Sequence, residues 1–313
     1  MIAVLSGGVG AARFLEGAKE AFEGEEIVAI VNVGDDEIMH GLHISPDVDT
    51  ILYTLAGLVN PATGWGLANE SWRVMERLAS LGGQTWFRLG DLDLATHLYR
   101  SERILKGASL TDTTRELCGK LGAGIKVLPV SNDPMRTRVT VTTADGGSET
   151  IGFQEYFVER QHDCDVTEVS YQSAGSAHMT AEVSQALALA RAIVIAPSNP
   201  ILSIAPMLSI DALASLLIGR RERVLAISPI VAGSAIKGPA GRLLDSLGFE
   251  SSALGVAKFY RDYVGHIVVD DLDAGLVPEI SALGISVSHC NTVMDSPEAK
   301  RALGAFVKQR IDG

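Results

Sequence analysis

The sequence predicts an α/β fold: a doubly wound, mostly parallel, Rossmann-like sheet with a helical insertion and a β-hairpin. Three observations predict it. The chain opens with an apolar run, Ile2 to Leu5, a glycine-rich turn, Ser6 to Gly10, a helical segment, Ala11 to Phe22, and a second apolar run, Ile27 to Val33. The last third alternates short buried runs, Ala192 to Ile195, Arg223 to Ile227, His266 to Val269 and Ile285 to Ser288, with helical segments such as Gly241 to Leu247. No repeat, proline-rich linker or charge block divides residues 1–313, so one domain is expected.

Each element has its own signal. Phe14, Leu15, Ala18 and Phe22 recur at helical spacing after the first turn. Residues 50–121 read as a helical insertion, with apolar faces over Asp49 to Leu58, Glu70 to Leu81, Leu94 to Leu105 and Thr111 to Leu121. Ile125 to Val130 is a strand. Val139 to Thr143 and Glu149 to Phe153 flank Ala144-Asp145-Gly146-Gly147 as a hairpin.

Composition narrows the function. Residues are 47% hydrophobic and 20% charged, enough apolar content for a full core. Lys and Arg number 26 against 38 Asp and Glu, a net charge of −12 that argues against a nucleic-acid binder. Cys118, Cys164 and Cys290 have no ligand or disulfide spacing and are expected as thiols in a reducing compartment. The N-terminus lacks a basic region and runs directly into a strand, so no signal peptide is expected. Pro206 and Asp211 interrupt the most apolar stretch, Ile201 to Gly219, so no membrane span is expected either. A cytoplasmic enzyme is the expectation.

Ligands of open parallel sheets lie beyond the carboxyl ends of the strands. Four such ends lead into small polar loops: Ser6-Gly7-Gly8-Val9-Gly10, Ser131-Asn132-Asp133, Pro197-Ser198-Asn199-Pro200, and Ser228-Pro229 followed by Lys237-Gly238-Pro239. Backbone amides in such loops hold phosphate without many basic residues, which reconciles a phosphate ligand with the acidic chain. Arg13 stands at the third glycine position of a dinucleotide fingerprint, which argues against a nicotinamide enzyme. Asp35, Asp36, Asp47 and Asp49 lie within fifteen residues and point to a hard divalent cation, or else to helix-start and loop acids. Trp65, Trp72 and Trp86 lie within 22 residues and suit either a flat ring substrate or local packing. His97 falls within a helix, where a packed histidine and a catalytic one are equally compatible with the pattern.

These residues resemble the 2-phospho-L-lactate transferases of deazaflavin coenzyme F-420 biosynthesis. The matching runs include Leu5 to Gly10, Val31 to Asp36, His40-Gly41-Leu42, Ile44 to Thr50, Tyr53 to Gly57, Leu89-Gly90-Asp91, Asp93 to His97, Phe153 to Phe157, Ala196 to Pro200, Ser228-Pro229-Ile230 and Lys237 to Ala240, in order across nearly the whole chain. The resemblance implies transfer of a phospho-acid from a GDP-activated donor to the ribityl hydroxyl of Fo, a deazaflavin, with release of GMP and a requirement for magnesium. The acid could be phospholactate, phosphoenolpyruvate or 3-phosphoglycerate. It implies Asp49 and Arg88 at the reacting hydroxyl, and Asp35, Asp36 and Asp49 as metal ligands, Asp49 being either ligand or general base. Gly8, Val9, Gly10, Asp91, His97, Ser198, Asn199, Lys237 and Gly238 would hold the nucleotide and its phosphates or the pocket around them. The insertion would form part of the Fo pocket, and a homodimer is compatible with the family. Leu92 stands where the family usually carries arginine, with Arg88 or Arg100 as compensating cations. The alternative is a related family that shares the glycine loop and binds a UDP-sugar without turnover. The segment Arg88 to His97 argues against it. Asp49→Asn is expected to abolish transfer and leave the fold intact.

Overall fold

The computed structural model describes residues 1–235 and 240–313. In chain order the first half contains β1 (Ile2–Ser6), α1 (Val9–Ala21), β2 (Ile27–Val31), β3 (Glu37–Met39), β4 (Leu42–Ile44), α2 (Pro46–Leu55), α3 (Arg73–Ser80), α4 (Asp91–Leu105), α5 (Leu110–Leu121), β5 (Lys126–Pro129), β6 (Arg136–Thr142) and β7 (Ser148–Gly152). The second half contains β8 (Val166–Gln172), α6 (Ala181–Leu189), β9 (Ala192–Ile195), α7 (Ala205–Leu208), α8 (Asp211–Gly219), β10 (Val224–Ile227), β11 (Ile230–Val231), β12 (Ser234–Ala235), α9 (Ala240–Ser246), α10 (Ala253–Tyr260), β13 (His266–Asp270), α11 (Val277–Ser281), β14 (Ser286–Cys290) and α12 (Pro297–Asp312).

The central sheet has seven strands in the order β14-β13-β10-β9-β1-β2-β5. Every pairing in it is parallel. The chain therefore builds outward from β1 in one direction through β2 and β5, then returns to build the other way from β9. The doubly wound expectation is met, and the order reverses between β1 and β9. Both faces of the sheet are covered. Ala3, Leu5, Val28 and Ile30 face one core with α6, α8, α9 and α10, while Ile2, Val4, Ala29 and Val31 face another with α1, α2 and α12. This is why the strands read as continuous apolar runs.

The predicted hairpin is part of a three-stranded antiparallel sheet, β7-β6-β8. β8 was absent from the sequence reading. It exposes Thr167, Glu168 and Gln172, so its period is irregular and its charge unlike that of the core strands. A second small hairpin, β3–β4, also escaped it. The turn is His40-Gly41, both with positive φ (53° and 77°), as a tight two-residue hairpin turn needs. The predicted helices of the insertion form. Helices α3 and α4 and the β3–β4 hairpin share a small separate core of Ile44, Met75 and Leu89, with Met39, Leu42, Phe87 and Leu94 against it.

Among the described residues no single helix is long and apolar enough to cross a membrane. The apolar stretch is broken into Pro200–Leu208 and Asp211–Gly219, bent by 93°.

Helices α1 and α12 meet backbone to backbone. A Cβ on Gly17 would sit 2.0 Å from the Lys300 carbonyl oxygen, and one on Gly304 would meet the Gly17 backbone at 2.9 Å. Gly119 in α5 has open space instead. Gly17→Ala is expected to lower stability by about 2 kcal/mol or more through overpacking. Gly119→Ala is expected to raise it by up to about 1 kcal/mol through helix propensity. Urea unfolding of the two variants checks both signs.

Candidate active site

Two loops touch where the strand order reverses. The Gly7 N–H donates to Ser198 Oγ at 3.1 Å. A Cβ on Gly10 would sit 2.0 Å from the Pro197 carbonyl oxygen, and one on Gly7 would sit 2.4 Å from Ser203 Cβ. The opening loop is glycine-rich because the loop after β9 is pressed against it. Helix α1 follows Gly8 with no side-chain cap and no acid in its first turn. Its first amides thus have no acceptor from a capping side chain, the usual state of an anion-binding helix start.

Beside this crevice the end of β2 and the start of α2 gather four buried carboxylates, Asp35, Asp36, Asp47 and Asp49. Asn32, just past β2, ties the two segments together. Its Nδ2 donates to Asp47 Oδ2 at 3.0 Å, and its Oδ1 accepts from the Gly34 N–H at 2.8 Å. Ser45 Oγ donates to Asp36 Oδ2 at 2.7 Å. Gln154, just past β7, donates to the Asp35 carbonyl, and the Thr137 N–H of β6 donates to the Gly34 carbonyl. Asp35 Oδ1 and Asp36 Oδ1 are left buried with no hydrogen-bond partner among the described residues.

Burial decides the protonation of this group. It pushes Asp35 well above the usual carboxylate range, with the charge of Asp47 adding to the shift. It pushes Asp36 up to about 8, against the opposing pull of the Ser45 hydrogen bond and of Arg100 and Arg136. It pushes Asp47 up to about 6 despite the Asn32 hydrogen bond. Burial, with Arg100 and Arg136 nearby, lowers His43 to about 4, so that ring is neutral.

Asp49 is held differently. Arg100, fully buried in α4, grips it with both terminal nitrogens: Nη1 donates to Oδ2 at 3.0 Å and Nη2 to Oδ1. Arg100 Nη1 also reaches the His43 carbonyl at 3.2 Å and lies 3.2 Å from His97 Nδ1. The other ring nitrogen of His97, Nε2, lies 3.3 Å from Asp93 Oδ2. Asp93 in turn accepts from the Tyr53 hydroxyl at 2.6 Å. Burial penalises an ionised Asp93, but His97, Tyr53 and Arg100 outweigh it and hold the carboxyl below its ordinary range.

A cavity of about 300 Å³ opens next to the acidic loop. Glu37 to His40 form one side, Trp86, Phe87 and Gln84 from the insertion another, and Arg138 of β6 with Gln154 and Glu155 just past β7 the third.

The family description "2-phospho-L-lactate transferase CofD" matches residues 2–282. The chain belongs to this transferase family. Similar proteins include a 2-phospho-L-lactate transferase of Methanosarcina acetivorans, 36% identical over 309 residues and covering 99% of this chain and 98% of that one. A phosphoenolpyruvate transferase of Streptomyces griseus is 38% identical over 304 residues, covering 96% and 95%. Another from Mycolicibacterium smegmatis is 38% identical over 316 residues, covering 96% of each. A crystal structure of a UPF0052-family protein from Bacillus halodurans shares the fold, with a TM-score of 0.62, 17% identity, and 100% and 98% of the two chains covered.

Set against the expectations for this family, the residues fall into three groups. Gly8, Val9 and Gly10 lie at the crevice, and Asp35, Asp36 and Asp49 lie in the acidic group. The expected metal trio does not converge as one cluster. Among the described residues, the trio whose ligand atoms all lie within 4.8 Å of one another is Asp49, Asp93 and His97. Both oxygens of Asp49 are taken by Arg100. Because Arg100 and Tyr53 engage that trio, it reads as an ion-pair network.

Other expected residues have structural partners. Ser198 accepts from Gly7, and Asn199 Oδ1 accepts the Ile201 and Leu202 amides. Asp91 takes the amides of Arg73 and Val74 and the Ser71 hydroxyl, capping α3. Arg88 is exposed, its guanidinium 4.3 Å above the Trp72 ring. The three tryptophans separate: Trp65 is exposed, Trp72 underlies Arg88, and Trp86 lines the cavity. Lys237 and Gly238 lie outside the described residues.

Two residues escaped the sequence reading. Glu70 caps α4 by accepting the Leu92 and Asp93 amides, each at 2.8 Å. A Cβ on Gly90 would meet its carboxyl carbon at 2.1 Å. Tyr53 completes the Asp93 end of the network.

The Asp49–Arg100 pair changes one expectation. Asp49→Asn leaves a buried guanidinium without its counter-ion, so stability should fall by about 3 kcal/mol, checked by urea unfolding. A second outcome follows from Asp36. Its folded value near 8 lies above the unfolded value near 4, so the folded state holds a proton that the unfolded state releases. Stability from this group is present below about pH 4 and is lost as pH rises toward 8. Asparagine keeps the acceptor for Ser45 and cannot ionise. In chelator, Asp36→Asn should gain stability over the parent by roughly 1.4 kcal/mol per pH unit at most between pH 6 and 8, read as diverging unfolding midpoints.

Proposed function

We propose that this transferase moves a phospho-acid from a GDP-activated donor to the ribityl hydroxyl of the deazaflavin Fo, as in coenzyme F-420 biosynthesis. The observation that carries the reading is the pair of buried, unpartnered carboxylate oxygens, Asp35 Oδ1 and Asp36 Oδ1, one strand from the point where the sheet reverses. Carboxyl oxygens in that state suit a hard divalent cation, which would displace their protons. Asp35 and Asp36 would hold magnesium, with Asp47 alongside. Bound there, the ion would neutralise charge on the donor's phosphates.

The chain's own residues do the rest. The uncapped start of α1 and the loop after β9 hold the GDP phosphates through backbone amides. The cavity lined by Trp86 and Phe87 receives the flat deazaflavin ring. Asp49 orients the ribityl hydroxyl and takes its proton as oxygen bonds to the phosphorus next to the acid. The bond from that phosphorus to the GMP oxygen breaks, and GMP leaves. Positioning and charge neutralisation supply most of the acceleration in such a transfer.

Relatives are named for phospholactate and for phosphoenolpyruvate at nearly equal identity, so identity alone does not choose the acid. The reading includes a cytoplasmic enzyme acting on small molecules, possible as a homodimer. Purified protein with Fo, magnesium and each of the three GDP-linked acids is expected to yield Fo extended by one phospho-acid, with GMP released, by mass spectrometry. Chelator should stop the reaction. No product with any donor would refute the proposal, and full activity in chelator would refute the metal's part in it.

A further inference from the structure

We propose that Arg100 is a positioning residue for the transfer: it fixes the carboxylate of Asp49, and the chain Tyr53–Asp93–His97 fixes Arg100. The inference rests on the transfer reading above, because it concerns how Asp49 meets the acceptor hydroxyl.

Three features support it. First, Arg100 has no exposed surface, and its planar fork meets both oxygens of Asp49, so the carboxylate can neither rotate nor tilt without breaking a charge-assisted bond. Second, the fork is itself held. Nη1 donates to the His43 carbonyl, and His97 Nδ1 lies 3.2 Å away on the same nitrogen. Asp93, His97 and Arg100 stand at spacings of four and three in α4, on one face of the helix. Tyr53 in α2 donates across to Asp93, whose other oxygen lies 3.3 Å from His97 Nε2, so the helix that carries Asp49 is tied to the helix that carries Arg100. Third, a buried ion pair is a poor stability device, since apolar residues of equal volume usually do as well. Its location against three further buried carboxylates assigns it to geometry.

The test is Arg100→Lys, which keeps the charge and loses the fork. With the productive donor, kcat should fall about 100-fold while KM for Fo and donor stays within about threefold. An unchanged kcat, or a loss confined to KM, overturns the proposal. Tyr53→Phe, which removes one hydroxyl, should lower kcat in the same sense by a smaller factor. It carries the test if Arg100→Lys does not fold, and parental turnover in it then overturns the proposal. A crystal structure of the folded variant gives a readout independent of turnover. A displaced Asp49 carboxylate is expected, and an unmoved one refutes the positioning role. Inactivity of the parent protein with all three donors would instead overturn the transfer reading while leaving that structural comparison intact.

Discussion

Four carboxylates leave water together at one edge of the crevice, and the protein answers their charge unevenly. Asp49 receives a full guanidinium, Asp47 an amide and Asp36 a hydroxyl, while Asp35 Oδ1 has no hydrogen-bond partner among the described residues. An ionised carboxyl without a partner is among the costliest groups to bury, and a group in that position takes up a proton instead. The raised values of Asp35 and Asp36 are that response. A positive charge brought there would displace those protons and remove that cost. Stability given up at a site for the sake of its chemistry is a common pattern.

The rest of the architecture delivers Arg100 to this group. The residue comes from the insertion, far in sequence from Asp49, and the orientation of α4 must be fixed for its fork to arrive. Glu70 and Asp91 fix it by exchanging caps. Glu70, before α3, accepts the first amides of α4, and Asp91, at the start of α4, accepts the first amides of α3. Each helix start is an electropositive end facing the carboxylate supplied by the other. The exchange locks the two helices as a unit above the small core of Ile44, Met75 and Leu89, and so sets one wall of the cavity.

The sheet was legible because its strands are buried on both faces and therefore lack polar interruption. Each of β1, β2, β9 and β10 reads as four or five apolar residues ending in a polar loop. β8 was illegible for the opposite reason: a peripheral strand with Glu168 and Gln172 in water carries no such run. The strand-end loops were noticed for small polar residues, and those residues mostly serve the loops themselves. Asn199 caps the turn behind it, Ser131 accepts from Asp133, and Ser228 accepts from Ile230. Turn chemistry and ligand chemistry select the same residue types, and only geometry separates them. Side chains that act across the fold, such as Tyr53 and Glu70, leave no local pattern at all.

The same geometry bears on Leu92, where the resemblance expects an arginine. Leu92 donates its amide to Glu70 and leaves its side chain 51% exposed on the outer face of the first turn of α4. Asp93, the next residue, turns inward to Tyr53 and His97. A side chain at 92 thus points away from the carboxylates that Asp93 helps to organise. Arg100 cannot stand in for a missing surface cation, because Asp49 engages its fork. Arg88 is exposed, over Trp72, a residue that directly precedes α3 and so lies beside the same reciprocal caps. The leucine therefore alters charge on the rim of the insertion and leaves the buried centre as it is. Leu92 makes none of the hydrogen bonds that hold Asp36, Asp47 and the Asp49–Arg100 pair, so the buried group does not depend on the side chain at that position.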